Sequence, residues 1–259
     1  MVKLGMISYL NTAPFRYGFS GLEGVELVEA LPANLLHLVE DGEVEAAIMP
    51  AFDALSHPEL AVIPGTCIAS LGAAWSVKLF TRIALRFATT VALDTSSHSS
   101  AALVRLVLEE HGAHPMFVNM PPDLDAMLAR ADAALLIGDP CLQARPAADI
   151  MQVDLGEEWH RLTGLPFVFG LWAARPGADI APLAPVISEA LDRGLQHLDR
   201  VVEAEAGRAG LPPEGIMSYL RDYMRYHLDE SCLAGLEQFR QRLVAAGLLA
   251  EAGPVRVGA

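Results

Sequence analysis

Little of this chain is basic. Eighteen Lys and Arg stand against 32 Asp and Glu, a formal net charge of −14. General binding to nucleic acid or to an anionic membrane needs a basic face, so the balance argues against both. It does not argue against a small anionic metabolite, because a few local donors outweigh a distant surface field. Cysteine is also scarce. Cys67, Cys141 and Cys232 are odd in number and scattered, which gives neither a disulfide framework nor a zinc spacing. No apolar stretch reaches the ~20 residues of a membrane span. The N-terminus lacks the basic, apolar and cleavage regions of a signal peptide, so the expectation is a cytoplasmic protein with no membrane partner. There is no Walker loop and no Gly-x-Gly-x-x-Gly after a strand, which leaves nucleotide binding without support. No Gly-x-Ser-x-Gly elbow is present, which does the same for a serine hydrolase. Nothing completes a metal set around His111 and His114, and neither a metal nor a cofactor is expected.

What the chain does carry is apolar bulk and order. Hydrophobic residues are 53% and charged residues 19% of 259, enough to fill a sizeable core. That length allows one large domain or two ordinary ones. Strand-like runs fall at 4–7, 46–49, 61–63, 76–81, 90–93, 116–118, 133–137, 150–153 and 167–173. Helical spacing falls at 34–40 and at 101–111, where Leu103, Leu106 and Val107 share one face. After Pro176 the character changes, and 183–206, 216–228 and 232–249 all read as helices. Alternation of this kind predicts an α/β architecture with a largely parallel sheet covered on both faces. Two such units fit: a second lobe over 89–174, and a discontinuous first lobe of 1–88 with 175–259. No repeat or low-complexity segment stands out. The oligomeric state is left open, a homodimer through the exposed face of the C-terminal helices being one arrangement.

Candidate chemistry lies where the strands end. Ser8-Tyr9-Leu10-Asn11-Thr12-Ala13-Pro14 follows the first strand and delivers a serine, an aromatic and an asparagine into a turn that proline fixes. Ser8 and Asn11 both donate and accept hydrogen bonds, so they can orient a hydroxyl and a carboxylate. Capping of the next helix accounts for them equally, and Tyr9 reads as half-packed. Asp94-Thr95-Ser96-Ser97-His98-Ser99-Ser100 lies between a strand and a helix. Free N–H groups at a helix N-terminus, with hydroxyls beside them, hold a carboxylate without a metal; ordinary capping uses the same residues. His98 either adds charge near an anion or faces solvent. Ser76 follows Gly72-Ala73-Ala74-Trp75. The small residues let a ligand approach the backbone, while Trp75 either covers an apolar ring or sits in the core. Asp139 follows the strand at 133–137, at the carboxyl end where open α/β sheets hold ligands. It either touches the ligand or caps and pairs across a cleft, and the structural role is favoured.

Taken in order, these segments resemble the chorismate dehydratase family of the futalosine route to menaquinone. Besides the opening motif, the resemblance runs through Ser76-Val77-Lys78-Leu79-Phe80, Val91-Ala92-Leu93-Asp94-Thr95-Ser96-Ser97 and Ala134-Leu135-Leu136-Ile137-Gly138-Asp139. It continues through Asp154-Leu155-Gly156-Glu157-Glu158-Trp159 and Thr163-Gly164-Leu165-Pro166-Phe167-Val168-Phe169 to the tail, Tyr219-Leu220, Tyr226 and Gly235-Leu236-Glu237-Gln238-Phe239. The resemblance implies a periplasmic-binding-protein-like fold of type II, two α/β lobes with a ligand cleft between them. It also implies the loss of water from chorismate to give 3-[(1-carboxyvinyl)oxy]benzoate, with chorismate as the small-molecule partner. It places Asn11 and Ser76 in the active site. Beside it, the residues themselves put Thr95, Ser96 and Ser97 at a substrate carboxylate, with Ser8, Trp75 and Asp139 as further candidate substrate contacts. The family typically has arginine where His98 stands, so backbone amides and hydroxyls are expected to carry most of the anion binding. Two alternatives stay open at this point: the sister enzyme that makes 1,4-dihydroxy-6-naphthoate, and a protein of the same fold that binds a small carboxylate without chemistry.

Overall fold

A computed structural model describes residues 1–250 and 257–258. Its strands are β1 (Val2–Ile7), β2 (Val25–Ala30), β3 (Ala46–Pro50), β4 (Ala61–Ser70), β5 (Val77–Thr81), β6 (Thr90–Asp94), β7 (Met116–Met120), β8 (Ala133–Ile137), β9 (Met151–Asp154), β10 (Phe167–Ala174) and β11 (Arg225–His227). Its α-helices are α1 (Ala13–Phe19), α2 (Leu35–Glu40), α3 (Ala51–Ser56), α4 (His98–Glu110), α5 (Leu124–Leu128), α6 (Gly138–Gln143), α7 (Leu155–Thr163), α8 (Leu183–Gln196), α9 (Leu198–Glu205), α10 (Pro213–Ser218) and α11 (Glu230–Ala245). A π-helical turn, Tyr219–Tyr223, follows α10 directly.

The strands form two sheets. One has the order β11-β4-β10-β3-β1-β2 and the other β7-β6-β8-β5-β9. Both are mixed, not largely parallel. β1 runs parallel to β2 and β3, and β6 parallel to β7 and β8. β10 is antiparallel to β3 and β4, β11 to β4, and β5 to β8 and β9. Direction follows from the two crossovers. A strand that ends at the cleft runs toward the hinge, whereas β5 and β10 carry the chain out of the hinge into a new sheet and must run away from it. Each lobe is built on one of the two sheets. β5, grouped in sequence with the first unit, belongs to the second sheet, and β10, grouped with the second, belongs to the first. The crossovers therefore fall between β4 and β5 and between β9 and β10.

Apolar runs form central strands because both of their faces are covered. In β8, Ala133, Leu135 and Ile137 face the large core, while Ala134 and Leu136 face a smaller one with Phe80, Met127 and Cys141. That is the period of two expected of a strand. β2 was not evident from sequence because it is a half-exposed edge strand. The single helix expected at 183–206 is two, broken at His197, where φ is −117° and ψ 38°. The helix expected at 216–228 is α10, the π turn and then β11, because Met224 turns extended and the chain joins the sheet edge beside β4. Helices α1 and α8 pack with backbones in contact. A Cβ on Gly18 would lie 1.7 Å from the Ala190 carbonyl oxygen, and one on Gly194 would lie 1.9 Å from that of Pro14. That contact fixes α1, and with it the polar corner leading into it. Among the described residues, no helix is long and apolar enough to cross a membrane.

Candidate active site

The corner after β1 is closed from within. The Thr12 hydroxyl, fully buried, lies 2.6 Å from the Ile7 carbonyl and 2.9 Å from that of Tyr9. This sets Asn11 in the 3-10 turn Leu10–Thr12. Two arginines grip the corner from outside. Arg16 donates to the Tyr9 carbonyl at 3.4 Å, and Arg208 donates to that of Ser8. Their charges are met by Glu29 and Glu205, with Arg16 2.8 Å from Glu29 and 2.6 Å from Glu205, and Arg208 3.3 Å from Glu29. The Ser8 N–H pairs with Ala30 at 3.0 Å. Ser8 is thus a backbone element of the corner, held at both its N–H and its carbonyl.

The other lobe meets this corner with the loop after β6 and the turn after β8. Asp94 is buried and accepts from the Ser96 N–H at 2.9 Å, the Ser96 hydroxyl and the Ile137 N–H at 3.2 Å. Burial holds its carboxyl above the usual range, and these bonds oppose that rise. Ser97 caps α4, accepting from the Ser100 N–H at 3.4 Å. The amides of His98 and Ser99 lie in the first helical turn, where no helical carbonyl precedes them. Several hydrogen bonds join the lobes here. The Leu10 N–H donates to Asp139 at 2.8 Å, the Ala33 N–H to the Ser96 carbonyl at 3.0 Å, and the Phe52 N–H to the Ser99 hydroxyl oxygen at 2.9 Å. His98 Nδ1 lies 2.7 Å from Asp53 Oδ1. His98 therefore reaches the opposite lobe, where the anion it faces is the Asp53 carboxylate, and its bond to Asp53 raises its pKa from 6.5. Asp139 serves as a cap across the cleft. Gly138, at φ +58°, leaves room for the Tyr9 ring, since a Cβ there would lie 2.4 Å from Tyr9 Cδ2.

The crossovers supply the third side. Trp75 has φ +65°, the left-handed region, which costs a residue with a Cβ about 1–2 kcal/mol. Its neighbours hold it there. Asp154 accepts from the Ala74 N–H at 2.9 Å and the Trp75 N–H at 2.7 Å, while also capping α7 through Gly156 at 3.0 Å and Glu157 at 3.2 Å. One carboxylate so staples both crossovers together. The Trp75 ring stacks on Tyr223, with centroids 5.1 Å apart, and therefore packs on the π turn. The next residue, Ser76, is buried; its carbonyl accepts from the Gly138 N–H at 2.8 Å.

These three sides enclose one cavity. Its lining includes Tyr9, Asn11, Ser76, Ser97, Ser100, Gly138, Phe169 and Met224, and with the lobes in contact the free space between them is only about 30 Å³, partly open to solvent. Asn11 Oδ1 is buried with no hydrogen-bond partner. Of the residues expected from sequence, Asn11, Ser76 and Ser97 converge on the cavity. Ser8, Trp75, Thr95, Ser96 and Asp139 do not line it. Thr95 is exposed, and Ser96 spends its hydroxyl on Asp94. Among the described residues the lining holds no Lys, Arg, His, Asp or Glu; Tyr9 is the one titratable residue among them, pushed up to about 12 by burial. Sequence reasoning missed Ser100, Asp53, Arg16, Arg208, the stapling role of Asp154 and the contacts of Tyr219. Asp154 and Tyr219 do stand within the segments that carry the family resemblance, which was the one signal for them.

Comparison with known proteins bears on this geometry. The family model described as menaquinone biosynthesis matches residues 2–245. A curated chorismate dehydratase of Thermus thermophilus is 36% identical over 258 residues, covering 93% of this chain and 94% of that protein. Among solved structures, a protein of Archaeoglobus fulgidus is similar at TM-score 0.78 and 21% identity, covering 96% of this chain and 98% of that one. The periplasmic aliphatic sulphonate binding protein of Escherichia coli is similar at TM-score 0.69 and 16% identity, with 98% of this chain and 90% of that one covered. At those identities the structural likeness speaks for the fold alone, a periplasmic-binding-protein-like pair of α/β lobes.

Proposed function

The chain belongs to the menaquinone biosynthesis family, and from that premise we propose that it is a chorismate dehydratase, a hydro-lyase that forms 3-[(1-carboxyvinyl)oxy]benzoate and water. The reaction removes the hydrogen from the ring carbon bearing the enolpyruvyl ether and the hydroxyl from its neighbour. Aromatisation of the ring supplies the driving force. Loss of water changes no net oxidation state, so the chemistry calls for no redox cofactor. What the enzyme must add is a base, a donor to the leaving hydroxyl and a fixed conformer.

The observation that carries the reading is the unpartnered buried Oδ1 of Asn11 in a cavity that Ser76 also lines. A ring hydroxyl can donate to Asn11 Oδ1 while accepting from Ser76, which holds the leaving group and eases its departure. Ser97, Ser100 and the first-turn amides of α4 suit a substrate carboxylate. Hydrogen bonds to the ring carboxylate stabilise charge pushed out of the breaking C–H bond. Tyr9, the one titratable residue of the lining, stays protonated at neutral pH. The substrate's own enolpyruvyl carboxylate is therefore the proton acceptor in this reading. Closure of the lobes excludes water around it. We place the reaction in the cytoplasm.

The test follows chorismate by its diene absorbance. Asn11→Ala and Ser76→Ala are each expected to lower kcat by about a hundredfold or more. Near-normal turnover in both variants overturns the site assignment. Tight binding by the wild-type chain with the diene untouched overturns the activity in favour of simple carboxylate capture. An analogue amidated at the side-chain carboxyl is expected to bind without reacting; undiminished elimination removes that carboxylate from the role of base.

A further inference from the structure

Ser76 does not stand alone at the cavity wall. The Tyr219 phenol lies 2.8 Å from Ser76 Oγ, at a sequence separation of 143 residues. Tyr219 is fully buried and does not line the cavity. It opens the π turn, in which the Met224 N–H reaches back five residues to the Tyr219 carbonyl at 3.2 Å. Such turns occur mostly as local insertions in helices and often at functional sites. The same turn places Tyr223 against Trp75, and the Tyr219 ring packs on Trp75 at 6.0 Å. The π turn thus presses on the strained Trp75 with its rings and touches Ser76 with its hydroxyl.

We propose that Tyr219 is the positioning residue for Ser76, donating its phenolic proton to Ser76 Oγ and so aiming the serine proton into the cavity. The inference rests on the reading of Ser76 as donor to the leaving hydroxyl. A serine hydroxyl rotates freely and has one proton to give. Without a fixed donor beside it, Ser76 divides its time between pointing that proton at the substrate and pointing it at neighbouring acceptors. With Tyr219 occupying one of its lone pairs, the favourable remaining direction for the proton is toward the cavity. Donation from the phenol also makes the serine a stronger donor, because consecutive hydrogen bonds polarise one another. Burial keeps the phenol protonated far above neutral pH, so the direction of the bond does not reverse in the working range.

A double-mutant cycle decides the matter, using Tyr219→Phe, Ser76→Ala and the combination in the full chain. Phe keeps the ring against Trp75 and removes only the hydroxyl. Tyr219→Phe is expected to lower kcat by about tenfold to a hundredfold, with KM within about threefold, as befits one hydrogen bond felt in the transition state. In the Ser76→Ala background the same change is expected to lower kcat by less than about twofold, because there is no hydroxyl left to aim. An equal fall in both backgrounds overturns the proposal, because the phenolic hydroxyl then acts otherwise than through Ser76. Normal turnover in Tyr219→Phe, with Ser76→Ala impaired, overturns it while leaving the Ser76 reading intact. Normal turnover in Ser76→Ala removes the Ser76 reading and this inference with it. Should the Phe variant fail to fold, 3-fluorotyrosine at position 219 keeps shape and hydroxyl but strengthens the donor. A raised kcat is then expected, and an unchanged kcat overturns the proposal.

Discussion

Replacing Asp154 by alanine removes one carboxylate from four backbone N–H groups, two at the start of α7 and two at Ala74 and Trp75 in the other crossover. Loss of a helix cap costs about 1 kcal/mol. Hydrogen bonds to an ionised group are worth about 1.5–3 kcal/mol each, and the low end applies because Asp154 is half-exposed and water reaches it. The expected loss is therefore about 4 kcal/mol, which for a chain of this size is about 8–16 °C in melting temperature. The functional effect is separate. Freed of its two acceptors, the Ala74–Trp75 peptide can leave the left-handed conformation, and Ser76 moves with it. Asp154→Asn is the control: the amide keeps one oxygen for Ala74 and the cap, but turns an NH2 toward the Trp75 N–H. Its melting point is expected to fall by less than half as much as that of Asp154→Ala, yet kcat falls in both. Differential scanning calorimetry and the diene assay read the two effects. A stability loss under about 1 kcal/mol in Asp154→Ala, or an unaltered kcat in both variants, refutes the stapling argument.

Three further outcomes are expected. Gly138→Ala combines a left-handed backbone with a Cβ 2.4 Å from the Tyr9 ring, so a loss of about 3 kcal/mol in thermal or denaturant unfolding is expected, together with reduced turnover. Asp139→Ala deletes the acceptor for the Leu10 N–H across the cleft; because that bond exists only when the lobes meet, KM for chorismate is expected to rise about tenfold, with little change in melting temperature. The bond from His98 to Asp53 raises the histidine's pKa above 6.5, so the protonated form is favoured in the closed, folded state; the pair's contribution is complete below about pH 6.5 and fades as pH rises through the raised value. Thermal stability and apparent chorismate affinity are expected to decline over that window in the wild type, and His98→Arg, with its permanent charge, is expected to flatten both profiles.

The fold was legible where burial made the sequence monotonous. The apolar runs at 46–49, 90–93 and 133–137 became β3, β6 and β8 because their strands are covered on both faces. Strand direction was not legible. The pattern of β5 and β10 is that of any buried strand, and nothing local tells the chain that it has just crossed a hinge. The tail failed for a related reason. Residues 216–228 keep helical spacing, but Met224, Tyr226 and Leu228 are wanted by the core beside β4, and that tertiary demand ends the helix in a π turn and a short strand.

The site was legible in proportion to how local its chemistry is. A cap such as Ser97 bonds three residues ahead, so composition announces it. Asn11 and Ser76 were singled out through a family resemblance, since a lone amide or hydroxyl has no signature of its own. The phenol bonded to Ser76 comes from 143 residues away in Tyr219, and what holds Trp75 in place comes from 79 residues away in Asp154. Those partners look structural in isolation: a buried tyrosine and a helix cap. In the proposed reading the chemistry of the cavity depends on groups that stand behind its lining, and a substitution there disarms it without replacing a lining residue. The lining is uncharged, so hydroxyl and amide protons are all it has to give. Their orientation then matters more than their number, which is the ground for assigning the buried phenol behind the wall a part in the reaction.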